Sequence, residues 1–562
     1  MPEDDVPKDT SNDEDDWMSY ANAGFGTTDY SLWDEEPAAQ AEVMEEWEED
    51  LQLDTGEEEI PAAPRPAGLK HLVRLGTCDH CLGRVGGKKR FGQSILESGI
   101  EIRASVVESD STMSNAREKQ PLCPFCENLF EEAPLLAELI HDELGEREYS
   151  RLQLGARFPK DQTEAEDHLR KRFGAGGSNA LKSSLVDEIA SQLKALDSSI
   201  SLVIEKPEIL ALVDVLTLSI DLDIRSHYVY GRYRKLERGI PQTKWPCRAC
   251  KGRGCERCNG TGLQYESSVQ GLIGDPLLEI FGSDEHAFHG MGREDIDVRC
   301  LGRGRPFVIE MKKPMKRDID VGLLMETINQ ASEGRLEVSD MRHSNRSEVV
   351  RVKDTPAEKS YTIRYRVEPI TQEGLDELTQ VMEIPADNRD RNRRRRDHHR
   401  GKKRKQKETP EAEEIDYSSL KKAELAAMCE EKGLAKSGTK DVLIERLQNF
   451  EPATLEMPDP DYILEIMTNL QGCTLAQRTP ERVAHRRADK IRKRKVLETS
   501  EPSVEVQDDG SIIAEFSLRC ESGTYVKETV HGDGGRTQPS VASLIKAKCT
   551  VEWLDVADIH AD

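Results

Sequence analysis

An α+β chain of several domains is what this sequence predicts, and three observations predict it. The chain is 562 residues long, whereas one hydrophobic core rarely grows past about 250–300 residues. Helical and strand-like periodicities alternate along its middle. Eight of its thirteen cysteines fall in four Cys-x-x-Cys pairs, which in a long chain without a secretory signal marks metal binding in a reducing compartment.

Charge narrows the class less than it first promises. The net charge is −27, but residues 1–60 carry 22 Asp and Glu against the single Lys8, a net of −21, so the remaining 502 residues sum to −6. Acidity concentrated in one tail says little about partners, and a nucleic-acid-binding body behind it is compatible. No run of about 18 apolar residues exists, and the N-terminus is not basic-then-apolar. The expectation is a soluble cytoplasmic monomer without membrane contact.

Taken in order, residues 1–66 are rich in Asp, Glu, Ala and Pro and bury too little apolar surface to offset the entropy of ordering, which predicts a disordered acidic tail. Leu69–Leu75 reads as a strand leading to Cys78-Asp-His-Cys81, and Cys123-Pro-Phe-Cys126 follows after 41 intervening residues. Two such knuckles supply four thiolates at bite distance, the ligand set of a closed zinc ribbon. With no open position, that metal braces the fold and does not catalyse; His80 is a bystander. Residues 130–225 alternate helical stretches (Ala133–Leu144, Leu181–Leu196) with strand-like ones (Ser199–Ile204, Leu216–Ile224), an α+β accessory domain to which composition assigns no function.

Tyr228–Pro246 interleaves tyrosines with Arg232, Arg234, Lys235 and Arg238 before Gln242. Stacking faces beside phosphate contacts suit splayed RNA; an amphipathic strand and its loop fit the same residues. Cys247, Cys250, Cys255 and Cys258 form two back-to-back Cys-x-x-Cys-x-Gly-x-Gly units. Their glycines free the backbone to bring amides to the sulfurs, giving a second zinc site, with a reduced thiol-rich loop as the alternative.

Gly292-Arg293-Glu294-Asp295-Ile296-Asp297-Val298-Arg299 sets carboxylates among arginines and runs on toward an apolar strand, Phe307–Met311. Such a carboxylate is held ionised by its neighbours and can serve as nucleophile, base or metal ligand; an exposed salt-bridged turn is the plain alternative. Lys359–Val367 alternates as a sheet strand does. Residues 388–407 hold twelve Arg and Lys against Asp390 and Asp397, a disordered polyanion-binding run or a solubilising linker. Residues 416–451 pair two helices about a glycine turn. A basic face follows at Arg478–Asp489 and Arg492–Lys495, then a strand, Ile512–Arg519, and Gly523-Thr-Tyr525-Val-Lys527-Glu528.

The Gly-Arg-Glu-Asp segment, with Asp297-Val-Arg299 and Gly304-Arg-Pro-Phe307 behind it, resembles the catalytic loop of pseudouridine synthases, most closely the archaeal and eukaryotic Pus-ten family that modifies uridines 54 and 55 of transfer RNA. Arg238-Gly-Ile-Pro-Gln-Thr243, Lys359-Ser-Tyr361, Gly523–Glu528, Gly532–Ser540 and Trp553-Leu554-Asp555 match in order. The resemblance spans roughly residues 69–385 and 455–562. It implies a zinc-binding, THUMP-like RNA-binding accessory domain over 67–225 and a mixed-sheet catalytic domain in two parts, 226–385 and 455–562. A basic linker, 386–415, and a SAP-like nucleic-acid-binding insertion, 416–451, separate them; the typical family member lacks that insertion.

The same resemblance implies residue roles. Asp295 is the nucleophile, with Asp297 its competitor, and Lys527 and Arg293 keep its carboxylate charged. Tyr361 stacks on the base and takes the proton from its new carbon, Tyr525 borders the pocket, and Leu554, with Leu544 as second choice, closes it. Arg232, Arg238 and Gln242 contact RNA. Zinc is structural, and the chemistry itself takes no cofactor. The partner is tRNA, with further nucleic-acid contact through the insertion. A non-catalytic tRNA-binding scaffold and a chromatin-associated protein led by the SAP-like unit are the other classes.

Overall fold

A computed structural model describes residues 66–87, 92–175, 178–382, 417, 420–450, 453–484 and 487–561. The acidic tail (all but Pro66) and the basic run at 388–407 lie outside the described residues. The chain folds as two compact units. One takes the described residues up to Arg232 with Pro241–Gly292 and Pro306–Asp354; the other takes Tyr233–Ile240, Arg293–Arg305 and Thr355 onward.

The first unit opens with helices, and one expectation fails at once. Leu69–Leu75 is not a strand: it is helical up to Arg74, in the helix Pro66–Arg74, and Leu75 begins the turn that follows. Pro66 suits a first helical turn, and Leu69, Leu72 and Val73 stand at i, i+3 and i+4, burying Leu72 and Val73. The next two helices are Asp79–Gly86 and Ile95–Ser109, the second closed by a reciprocal Ser94–Glu97 capping box. They touch backbone to backbone, because a Cβ on Gly83 would stand 1.7 Å from the Ile95 carbonyl oxygen and one on Gly99 the same distance from that of Asp79. Gly99→Ala should therefore force the helices apart and cost about 3 kcal/mol, read as a lowered denaturation midpoint.

The helices Ala133–Leu144 and Leu181–Leu196 form where their periodicity predicts. They cover a sheet of β1 (Leu152–Arg157), β2 (Ile209–Asp214) and β3 (Ser219–Ile224), β1 parallel to β2 and β2 antiparallel to β3. Ser199–Ile204 does not become a strand. Only Leu202 bridges to Leu152, and Ile204 is 89% exposed. The strand expected from Leu216 starts at Ser219, because Asp214 Oδ1 accepts the Leu216 and Thr217 amides and holds a turn there.

β4 (His227–Lys235) and β6 (Arg299–Lys312) each begin in one unit and end in the other. In the first unit β5 (Glu285–Gly290) pairs antiparallel with the Phe307–Lys312 end of β6, and β7 is Leu336–Ser344. Gly231 lies against the Phe307 ring, where a Cβ would come within 2.9 Å.

The second unit is built on a mixed sheet. Its strands are β8 (Glu358–Glu368), β9 (Thr474–Arg478), β10 (Ile491–Val506), β11 (Ile512–Cys520), β12 (Thr537–Gln538) and β13 (Lys548–His560), in the order β12-β9-β10-β11-β8-β13-β6. β13 runs antiparallel to β8 and parallel to β6. Odd-numbered residues of β8 face the core, with Ile363, Tyr365 and Val367 buried, so Tyr361 continues that face. The helices Lys422–Glu431 and Lys440–Gln448 pack on each other through Leu425, Cys429, Leu443 and Leu447, a small core of their own.

Candidate active site

The loop from Arg293 to Val298 is held from beneath by charge buried on purpose-built partners. Glu294 turns inward, 5% exposed; the Arg305 guanidinium pairs with it at 2.9 Å, and the Tyr233 hydroxyl lies 2.9 and 3.0 Å from its two oxygens. Burial works against the Arg305 charge, but Glu294 together with Tyr233, Cys300 and Tyr361 more than restores it, and its pKa is raised. Lys235, fully buried, donates to the carbonyls of Ile240, Asp295 and Ile296 at 2.9, 3.3 and 3.1 Å. The loop backbone is thus fixed by an ammonium. Glu294→Gln would leave Arg305 a buried cation without its anion, and should cost about 3–5 kcal/mol of stability, measured by urea unfolding.

With Glu294 turned in, Asp295 turns out. Arg482 Nη1 stands 3.0 Å from Asp295 Oδ2, and Lys527 Nζ 3.7 Å from the same oxygen. Lys527 lies nearer to Asp297, at 2.8 Å. Burial opposes the Asp297 charge, yet the hydrogen bond and positive charge of Lys527, with smaller help from Lys235, together hold that carboxyl below the usual range. On its other side Arg482 Nε reaches Glu528 Oε1 at 2.6 Å, and Glu528 is 1% exposed. Five charges therefore alternate in sign from Asp297 through Lys527, Asp295 and Arg482 to Glu528.

Tyr361 and Leu554 lie on the paired strands β8 and β13, and Tyr525 leads into the helix that carries Lys527. Burial pushes the Tyr361 phenol up, opposed by Arg305, with Asp295 among the smaller charges acting on it. Tyr361 lies opposite Leu518 in β11 and Val556 in β13, and Leu554 sits opposite Ile363. Tyr525 precedes the short helix Val526–His531; Gln477 clasps its backbone N–H and C=O at 2.9 Å each, and Arg487 donates to its hydroxyl at 3.1 Å. Leu544, the second choice, offers its carbonyl to Tyr462. Arg293 is exposed at the loop's start.

The three residues expected to touch RNA are placed otherwise than free phosphate contacts would be. Arg232 and Gln242 are buried, 7% and 6% exposed, and Gln242 donates to the Gly292 carbonyl at 3.0 Å. Arg238 donates to the carbonyls of Asp297 and Leu554 at 2.8 and 3.0 Å, pairs with the buried Asp555 at 2.7 Å and lies over the Trp553 ring. Sequence reasoning named Arg482 only as part of a basic face and passed over Glu528. Their adjacency to Asp295 is tertiary; the one sequence signal was Glu528 following Lys527.

Ser360, His560 and Asp558 outline a nucleophile triad and are not one. Ser360 Oγ is 2.8 Å from His560 Nε2, but Arg303 Nη2 lies 3.3 Å from His560 Nδ1. A guanidinium only donates, so Nδ1 accepts, Nε2 carries the proton, and the ring cannot take one from Ser360.

Both cysteine sets gather as the spacing predicts. All ligand atoms of Cys78, Cys81, Cys123 and Cys126, and likewise of Cys247, Cys250, Cys255 and Cys258, lie within 4.8 Å of one another. Four sulfurs about 2.3 Å from one zinc stand about 3.8 Å apart, and the pairs Cys78–Cys126, Cys247–Cys255 and Cys250–Cys258 measure 3.5, 3.9 and 3.8 Å. The first knuckle lies on a helix, Asp79–Gly86, not on a ribbon strand. Around the second, the Gly262 amide donates to Cys258 Sγ at 3.3 Å. Gly262 has φ +71°, and a Cβ there would meet the Gly252 carbonyl oxygen at 2.3 Å.

Comparison with known proteins completes the site's description. The model of the family "Pus10, C-terminal" matches residues 228–434 and 454–560. The tRNA pseudouridine synthase Pus10 of Methanothrix thermoacetophila is 32% identical over 513 residues, covering 87% of this chain and 93% of the relative. That of Halorubrum lacusprofundi is 31% identical over 86% of this chain and 93% of its own length, and that of Methanocaldococcus jannaschii 30% identical over 87% and 93%.

Proposed function

The chain belongs to the Pus10 family of tRNA pseudouridine synthases, and on that footing we propose that it isomerises uridine 54, uridine 55 or both in the T-arm of tRNA with Asp295 as its nucleophile. The reaction balances within one nucleoside. The bond from uracil N1 to ribose C1′ breaks, a bond from C5 to C1′ forms, C5 gives up a proton and N1 regains one.

The observation that carries the assignment is the direction of the two acids. Glu294 is spent inside on Arg305 and Tyr233, whereas Asp295 faces out between Arg482 and Lys527. A carboxylate met by two cations on its open side is of the residue type that serves as a nucleophile. The target base must first leave its stack, and Tyr361, Tyr525 and Leu554 are the faces that receive it. Because burial raises the Tyr361 phenol, it meets the base neutral, which favours stacking over proton removal as its part. Arg293 adds positive charge at the loop's entrance. Arg238 acts on RNA through the loop it braces at the Asp297 carbonyl, while exposed Arg487, Lys493 and Lys495 take the phosphates.

Structural zinc in both cysteine sets, a THUMP-like RNA-binding role for residues 67–225 and a SAP-like nucleic-acid contact at 416–451 complete the proposal. The family match covers the first helix of that hairpin, ending at residue 434, and leaves out the second, Lys440–Gln448, before resuming at 454. No helix among the described residues is long and apolar enough to cross a membrane; a cytoplasmic location and a monomeric state are part of the proposal. Pseudouridine mapping on an unmodified tRNA transcript tests the reading. Product at 54, 55 or both is expected, and bound tRNA with no product would leave the scaffold reading.

A further inference from the structure

Both cations at Asp295 converge on one oxygen. Arg482 Nη1 and Lys527 Nζ approach Oδ2 at 3.0 and 3.7 Å, and among the described residues no hydrogen bond or ion pair falls on Oδ1. The two cations are not equal. Lys527 is nearer to Asp297, so Arg482 gives Asp295 its shorter contact, and its planar fork fixes direction as well as charge.

Arg482 is itself held from behind. Its Nε meets Glu528 Oε1 at 2.6 Å, Glu528 is 1% exposed, and Glu528 Oε2 has no hydrogen-bond partner among the described residues. A buried carboxylate with one oxygen unmet is a poor stabilising device, and its one polar contact is with the arginine that meets Asp295. Glu528 follows Lys527 on the helix Val526–His531, so one short helix sets both cations.

We propose that Arg482, anchored by Glu528, is a positioning residue that pins Oδ2 of Asp295 and so presents Oδ1 to the target nucleotide as the attacking oxygen. The proposal rests on Asp295 being the nucleophile. A carboxylate turns easily about its last side-chain bond, a broad two-fold torsion, and neither oxygen is preferred unless something outside holds one. Arg482 supplies that hold before RNA arrives, so binding need not spend itself on aligning the acid.

Arg482→Lys keeps a cation beside Glu528 but lacks the second arm that reaches Asp295. It should bind tRNA with KM within about threefold of native while kcat falls about 10²-fold, the scale of a misplaced reacting group. Arg482→Gln combined with Glu528→Gln removes both charges of the pair, so that no buried carboxylate is left without its cation; it should fold and show the same loss in kcat. Native kcat in either folded variant overturns the proposal, and so does a rise in KM with kcat unchanged, which would make Arg482 an RNA contact. Asp295→Asn run in parallel separates the two failures. An active Asp295→Asn removes the nucleophile reading and the proposal with it; an inactive one beside fully active Arg482 variants removes the positioning role alone.

Discussion

Asp295→Asn should leave tRNA bound and pseudouridine unformed, a loss of about 10⁴-fold or more, the scale on which removing a nucleophile acts. Asparagine keeps the shape and one carbonyl oxygen for Arg482 but has no charge to attack with. The fold should not suffer, because Arg482 still pairs with Glu528 and the loop is held by Lys235 through backbone carbonyls that the substitution leaves in place. Asp297→Asn is the informative control. It removes the acid to which Lys527 is closest, freeing that ammonium for Asp295, and should change the rate by no more than about tenfold. Mapping of the T-arm product reads both variants on one transcript. Product that survives Asp295→Asn and vanishes in Asp297→Asn would move the nucleophile two residues along the chain.

How much of this was legible in advance depends on what each residue type reveals by itself. Asp295, Tyr361, Lys527 and Leu554 were singled out because their short motifs resemble those of pseudouridine synthases; chemistry alone did not separate Asp295 from Asp297. The cysteine sets could be read because thiolates at that spacing have one common use. Helical periodicity at Ala133–Leu144 and Leu181–Leu196 was strong enough to place both elements. Leu69–Leu75 was misread because a seven-residue window with four apolar side chains fits either period, and the arbiter, burial of Leu72 and Val73 on one helical face, is tertiary. Ser199–Ile204 failed for a different reason: beyond the Leu202 bridge, no neighbouring strand pairs with it.

The basic residues show the limit most clearly. Sequence reveals that Arg238 and Arg232 are cations but not which way they point. Arg238 is spent on two carbonyls and Asp555, and Arg232 is buried. A motif shared with RNA-binding enzymes is thus partly scaffold for the loop that binds or reacts. Arg482 was the converse, read as surface charge yet standing against the acid.

Losing the first cysteine set should be the largest stability change in the molecule. Cys81, Cys123 and Cys126 are fully buried in the core that holds Leu72, Leu82, Phe125 and Phe130, so the sulfurs are part of the packing and not an ornament on it. The surroundings suit thiolates. Arg84, 4% exposed, lies between Cys81 Sγ, at 3.8 Å, and Glu166, at 2.5 Å, and a dication held by four thiolates carries the excess negative charge that a buried guanidinium offsets. Structural zinc binds with about 10–16 kcal/mol, as large as the whole stability of a typical domain, about 5–15 kcal/mol. Cys123→Ser, or stripping with a strong chelator, should therefore unfold the helical region from Pro66 to Leu144, seen as lost helical signal and lowered Tm. Acid should act the same way, because the ligands must be deprotonated to hold the metal; the stabilisation is present at neutral pH and lost as pH falls. The corresponding Cys258→Ser should cost less, since Cys247, Cys250 and Cys258 form a cluster apart from the larger core. Elemental analysis checks the premise: two zinc per chain are expected, and metal-free protein with the native Tm would return both sets to plain buried thiols.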